Sequence, residues 1–170
     1  FFSLNDFVAA TPKAYCALLN FVAKNFSSNY DSIRLLTPVD SPLQALISEA
    51  NQVSCRIYPN GMVRAVNVPN ILRSCRCKGS GRLIISVQDS IIEKNSGTWE
   101  LDFTEGQENK VCLTDATPDI RMDISDFSVL SCGIRSADDL MWMPNVRVEN
   151  PEASFEAVFY RKPTYLKTLF

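Results

Sequence analysis

The sequence predicts an α+β protein. Two observations carry this: strand patterns follow one another between residues 82 and 124 with turns between them, while apolar helices gather at particular points rather than alternating with the strands. A third is local, since several helix starts carry their own capping signal.

In order along the chain, Phe2, Leu4 and Phe7-Val8 suggest a strand that gives way at Thr11-Pro12, threonine as N-cap and proline as first helical residue. Tyr15, Leu18, Leu19, Val22 and Phe26 then fall at helical spacing and form one apolar stripe, that of a core helix. Residues 31–36 make a short strand. Ser41-Pro42 opens a second helix in which Leu43, Leu46 and Ile47 share a face. Residues 53–58 and 62–66 flank Pro59-Asn60-Gly61, and an Asn-Gly pair after alternating residues marks a hairpin.

After Asn67 the register changes. Val68 and Pro69 begin a helix with Ile71 and Leu72 inward, a Gly-Ser-Gly loop follows, and four strands are expected at 82–87, 98–103, 110–113 and 120–124. In the last of these Ile120, Met122 and Ile124 alternate with Arg121 and Asp123. That strand should end at Ser125, whose hydroxyl caps a helix through Phe127, Val129 and Leu130, with Asp126 in its first turn and Gly133 as its stop. Ser136 and Asp139 form an acidic capping box for a further short helix that Pro144 ends. Phe127, Val129, Leu130, Leu140 and Trp142 are therefore expected to cover a sheet face. Phe155, Ala157 and Phe159 alternate within 154–160, which should return to the sheet as a strand. The best division of the chain is into 1–66 and 67–170.

The 170 residues are 46% hydrophobic and 21% charged with a net charge of −2, values of a globular protein of one or two domains. No basic stripe offers itself to phosphates, so no nucleic-acid partner is expected. No apolar run reaches the roughly 18 residues of a membrane span, so no membrane is expected either. Phe1-Phe2-Ser3 lacks a methionine and the marks of a signal peptide, which reads as a chain beginning inside a longer, cytoplasmic protein. Histidine is absent, and this removes Ser-His-Asp triads, Cys-His dyads and histidine-ligated metals. The six cysteines are expected as buried free thiols. Cys75-Arg76-Cys77 looks like half a metal clip, but no second pair at ligand spacing accompanies it, so no metal is expected.

Arg76, Gly79 and Gly81 match the R-x-x-G-x-G pattern with which acetyltransferases cradle a pyrophosphate on backbone N–H groups. That mechanism needs a strand before the loop and a helix after it. Here the order is reversed, so a Gly-rich turn from helix to strand is the preferred reading.

Gly61-Met62-Val63-Arg64, Asn67-Val68-Pro69, residues 81–89, Pro118-Asp119 and Gly133-Ile134-Arg135-Ser136-Ala137-Asp138-Asp139-Leu140 together resemble the C-terminal region of the enhanced-intracellular-survival family of N-acetyltransferases. Thr11-Pro12 through Phe26 and Thr37-Pro38 through Leu43 resemble the latter half of that family's middle domain. The resemblance implies a partial acetyltransferase-like α/β segment over 1–66. Residues 67–170 would then be a sterol-carrier-protein-like domain, a mixed sheet with helices packed on one face. It also implies a parent enzyme that acetylates primary amines, of aminoglycoside or lysine type, with acetyl-CoA, and that is a homo-oligomer. The domain with the acetyl-CoA site would be missing from this chain, which alone should bind no cofactor and be inactive. In the family the terminal carboxylate serves as general base, a role that falls here on Phe170. The alternative is a self-standing sterol-carrier-like module that binds a lipid or other apolar ligand.

Overall fold

Thr11 and Pro12 begin the first helix as the sequence predicts: the threonine hydroxyl accepts the Ala14 N–H at 3.1 Å, and α1 runs over Pro12–Phe26. The structure, a computed structural model, describes residues 1–39, 41–47, 50–58 and 61–164. It divides the chain into two units, Phe1–Pro59 and Asn60–Phe170.

In the first unit β1 (Phe2–Leu4) pairs in parallel with β2 (Ile33–Leu35). Tyr15 and Val22 of α1 are buried with Phe7, whose ring meets Tyr15 edge-on at 4.9 Å. Leu18 lies at the edge of the stripe and is exposed. The first strand is shorter than expected, since Phe7 is buried outside any strand and Val8 faces solvent. The second expected helix shrinks to one turn, α2 (Leu43–Leu46), with no buried residue and no side-chain cap. The reason is local: Ser41, the expected cap, places its hydroxyl 2.8 Å from the Tyr15 hydroxyl instead. A 3₁₀ turn covers Ala50–Gln52. The expected hairpin is corrected too. Residues 53–58 and 61–66 carry no strand, with Ile57, Tyr58 and Met62 exposed, and the turn residues Pro59 and Asn60 lie outside the described residues. Ala65 alone of residues 61–66 is buried, and a single covered position does not make a strand.

The second unit begins with α3 (Val68–Ser74), capped by the Asn67 side chain and buried through Val68 and Leu72. β3 (Ser80–Gln88), β4 (Gly97–Thr104), β5 (Lys110–Leu113) and β6 (Ile120–Asp123) follow, with a 3₁₀ turn at Glu93–Asn95. The edge strand β7 (Arg147–Val148) completes a five-stranded mixed sheet in the order β5-β4-β3-β6-β7, parallel only between β3 and β6. In β3 Leu83, Ile85 and Val87 are buried while Arg82 and Gln88 are exposed, and opposite them stand Leu101 of β4 and Ile120 and Met122 of β6. One sheet face is therefore core. The other carries Asp102 and the ion pairs Arg82–Glu100 and Arg121–Glu149. The fold is α+β, with a mixed sheet and helices, as expected.

Three expectations fail here for physical reasons. The cap of α4 (Ile124–Ser131) is Asp123, not Ser125: Asp123 accepts the Asp126 N–H at 2.9 Å, and the Ser125 hydroxyl turns back to the same carboxylate. The helix does stop at Gly133, which adopts φ +74 and donates to the Leu130 carbonyl while the Ile134 N–H bonds Val129. Ser136 and Asp139 form the capping box, but of a 3₁₀ helix (Ala137–Trp142). Its threefold repeat turns Ala137, Leu140 and Met143 inward and leaves Trp142 77% exposed, so Trp142 is not a core residue. Residues 154–160 do not form a strand but hold α5 (Phe155–Val158), because Phe155, Val158 and Phe159 stand at i, i+3 and i+4 and bury one helical face. Phe127, Leu130 and Leu140 are buried as expected. All six cysteines are free, yet only Cys77 is buried, and Cys55 and Cys112 are exposed.

Candidate functional site

The chain leads into its second unit over polar side chains rather than a ladder. Ser128 of α4 donates to the Ile124 carbonyl and accepts the Ala65 N–H at 2.8 Å, and Asn95 accepts the Val68 N–H at 3.0 Å. Asn95 also donates to Asp89, which accepts the Ile91 and Ile92 N–H groups and pairs with Arg64. Burial pushes the Asp89 carboxyl up, but the Asn95 amide, the two backbone N–H groups and Arg64 prevail and bring it to about 2. This knot is structural and positions α3.

An open groove lies between the 3₁₀ helix and α5. Its first part, about 410 Å³, is lined by Ala137, Asp138 and Leu140 of the 3₁₀ helix and by residues 151 and 153–157 around α5. Its second part, about 670 Å³, shares Ala137, Asp138, Leu140, Pro151 and Phe155 and continues past Met143, Val146 and Val148. Of the lining, Leu140 and Phe155 are buried apolar side chains, and Asp138 and Glu156 are exposed carboxylates. Such a lining suits a body with apolar surface and a cationic group.

The groove borders a segment held at several points. The Phe159 carbonyl accepts the Ala137 N–H at 2.7 Å, the Tyr160 hydroxyl donates to the Arg76 carbonyl at 3.0 Å, and Arg161 pairs with Asp139 at 2.8 Å. The Lys162 N–H donates to the Gly133 carbonyl at 3.1 Å, so closely that a Cβ on Gly133 would lie 2.6 Å from that nitrogen. Asp139 is held below the usual carboxylate range by the Ser136 N–H and, against burial, by Arg161 and Arg135. Residues 159–162 are thus fixed to the 3₁₀ helix, to Gly133 and to Arg76. Phe170, the expected general base, lies outside the described residues, as do Tyr165, Leu166 and Leu169.

Arg76, Gly79 and Gly81 sit where the sequence places them, after a helix and at the start of a strand. Gly79 takes φ +66, and its N–H donates to Glu105 Oε2 at 2.8 Å. A carboxylate thus occupies the amide that a phosphate would need, so these residues do not fit the pyrophosphate of acetyl-CoA. Among the described residues no group of three or more His, Cys, Asp or Glu is placed to hold a metal ion, and no helix is long and apolar enough to cross a membrane. Asp138, Phe155 and Glu156 line the groove without a sequence signal that marks them for it. The capping box marked the helix start but not which acidic side chain would face a cleft.

A family model described as sterol carrier protein domain matches residues 68–167, more than half of the chain. The chain belongs to the sterol carrier protein domain family. The match holds every residue of the groove and leaves the first unit outside it. Similar solved structures cover both units of this sterol carrier protein domain chain. Eis1 from Mycobacterium abscessus is 25% identical with a TM-score of 0.82, over 99% of this chain. A probable N-acyltransferase from Enterococcus faecalis V583 (20% identity, TM-score 0.78, 96% of this chain) and a GCN5-related N-acetyltransferase from Anabaena variabilis (19%, 0.79, 99%) share the fold. The chain spans 43% of the length of each of the three. No curated protein matches it.

Proposed function

We propose that this chain forms the C-terminal part of an N-acetyltransferase of the enhanced-intracellular-survival type, a cytoplasmic, homo-oligomeric enzyme that acetylates primary amines of aminoglycoside or lysine type with acetyl-CoA. Residues 1–66 are the latter half of its acetyltransferase-like middle domain and 67–170 its sterol-carrier-like domain. The observation that carries this is the likeness to Eis1, which runs through both units and not only through the family's own domain. A lipid carrier would have no use for the first unit.

In this reading the chain supplies a wall of the amine cleft and a proton acceptor. The groove supports the first role, since Asp138 and Glu156 beside Leu140 and Phe155 match an ammonium on a partly apolar body. Where the parent ends at Phe170, the acceptor is that residue's α-carboxylate, which takes the proton an amine sheds as it becomes a nucleophile. A free α-carboxylate has a pKa of roughly 3.3 to 3.7 and is a weak base at neutral pH. To act as the base it would have to be raised towards the working range, which desolvation in the intact enzyme would do. Acetyl-CoA itself falls to the rest of the enzyme, because the Gly79 amide is already taken by Glu105.

The test uses the full-length parent. Deleting Phe170, or adding one residue after it, is expected to lower kcat about 10²-fold or more with acetyl-CoA affinity kept. An unchanged kcat removes Phe170 from the mechanism. Calorimetry on the present chain is expected to show no binding of acetyl-CoA, and micromolar affinity lost on Gly79→Ala would overturn that. The apolar run Leu140, Met143, Val146, Val148 of the groove favours a second reading, an apolar-ligand module. A parent that takes up a fluorescent fatty acid stoichiometrically and acetylates no amine would establish it.

A further inference from the structure

The loop between α3 and β3 holds two thiols side by side. Cys75 leaves the helix in an extended conformation (φ −68, ψ 139), and residues two apart in extended chain point to one side. The Sγ atoms of Cys75 and Cys77 lie 3.6 Å apart. The buried Asn109 spans them: its Nδ2 donates to the carbonyls of Leu72 and Cys75 at 2.8 Å and stands 3.4 Å from Cys75 Sγ and 3.7 Å from Cys77 Sγ. Lys78 and Lys162 flank the neighbouring Tyr160 ring at 4.4 and 4.8 Å, which places positive charge beside the loop.

The other thiols have no such setting. Two thiolates at this distance would repel, so the pair shares a proton. Cys75 is pushed up by its hydrogen bond to Cys77 and by burial, while Cys77 is lowered by the Cys75 S–H, against burial, with help from Asn109 and the Lys162 ammonium. Of the two, Cys77 is therefore the one that ionises first, while Cys75 keeps its proton. Cys77 is only 8% exposed, which admits a small oxidant and excludes a large one.

We propose that Cys75 and Cys77 form a redox modification site, a dithiol that a hydroperoxide converts into an intramolecular disulfide. The Cys77 thiolate attacks one peroxide oxygen, the O–O bond breaks, and the leaving hydroxide takes a proton to become water. Cys77 is then a sulfenic acid. Cys75 sulfur attacks the Cys77 sulfur, the S–O bond breaks, and the second hydroxide leaves with the proton that Cys75 gives up. Two thiols and one hydrogen peroxide thus yield one disulfide and two waters. Closing the bond brings the sulfurs from 3.6 Å to about 2.05 Å.

The sequence supplies a convenient readout, because Arg73, Arg76 and Lys78 are trypsin sites. The full chain carrying Cys55→Ser and Cys112→Ser, which removes the exposed thiols, is treated with hydrogen peroxide, alkylated and digested without reductant. Ser74-Cys75-Arg76 is expected joined to Cys77-Lys78, or as one uncut segment lacking two hydrogens, and separable by dithiothreitol. The pair should oxidise about tenfold or more faster than Cys16 or Cys132. In Cys75→Ser, Cys77 should stop as a sulfenic acid trapped by dimedone. The proposal is overturned if both peptides appear separately alkylated while Cys16 or Cys132 oxidises. It is equally overturned if Cys77→Ser leaves peroxide consumption unchanged. The digest needs no substitution in the pair itself, so it decides even if a cysteine variant does not fold.

Discussion

The two units solve the same problem with unequal means. Among the described residues the second buries nineteen apolar side chains in one cluster, from Ala65 to Phe159, whereas the first buries three, Phe7, Tyr15 and Val22. Each has a helix with a good side-chain cap, Thr11 on α1 and Asn67 on α3. The difference lies in what the helices meet. In the second unit the inward residues of α3, α4 and α5 join those of β3, β4 and β6 in that cluster. In the first, α1 has two three-residue strands beside it among the described residues and leaves Phe21 57% exposed. A well-started helix is therefore no measure of a stable domain, because most helical stability comes from the face it buries.

The sharpest way to break this contrast is to separate the units. Residues 60–170 alone are expected to unfold in one cooperative urea transition, and residues 1–59 alone to show none, followed by circular dichroism. A cooperative transition of 1–59 by itself would end the comparison. Next in size, Leu130→Ala should cost about 2 to 5 kcal/mol in the transition of the second unit, since Leu130 is fully buried. Val22→Ala should leave that same midpoint in place.

A smaller effect comes with acid. Asp89 is charged in the fold down to about 2 and in the unfolded chain only down to about 3.9. Its contribution is therefore present above about pH 4 and is lost as pH falls towards 2. Asp123 and Asp139, both lowered, act in the same sense. Asp126, raised by burial and by Asp123, acts in the opposite one. Asp89→Asn should flatten the fall in the urea midpoint between about pH 5 and pH 2.5, and an unaltered slope would take Asp89 out of the acid response. The smallest effect belongs to Trp142→Ala, expected within about 0.5 kcal/mol because the ring faces solvent.

Much of the second unit was legible in the sequence because its signals are local. Ser136 and Asp139 are three residues apart, and the strand runs 98–103 and 110–113 are bounded by turn residues, so neighbours in sequence carry the whole message. Phe155 and Phe159 misled because a spacing of four satisfies both the period of a strand and that of a helix. Ser125 misled because Asp123, two residues earlier, is as good a cap and takes the position. Trp142 misled because a 3₁₀ helix repeats every three residues rather than 3.6. The groove had no local signature. Its walls come from residues 137–148 and 151–157, and only the fold of the intervening chain makes them neighbours.

The polar knot at Asp89, Asn95 and Ser128 gives the second unit an edge that its secondary structure does not draw. The amide hydrogens of Ala65 and Val68 are bound by buried side-chain oxygens and not through a backbone ladder. Such hydrogens exchange with solvent only when the groups that hold them move apart. Ser128 is wholly buried in α4, and Asn95 is buried beside the start of β4. Releasing either amide therefore requires core elements to open. In deuterated water an irregular stretch of chain would be retained as long as the sheet, and the cooperative body would begin at Ala65, three residues before its first helix.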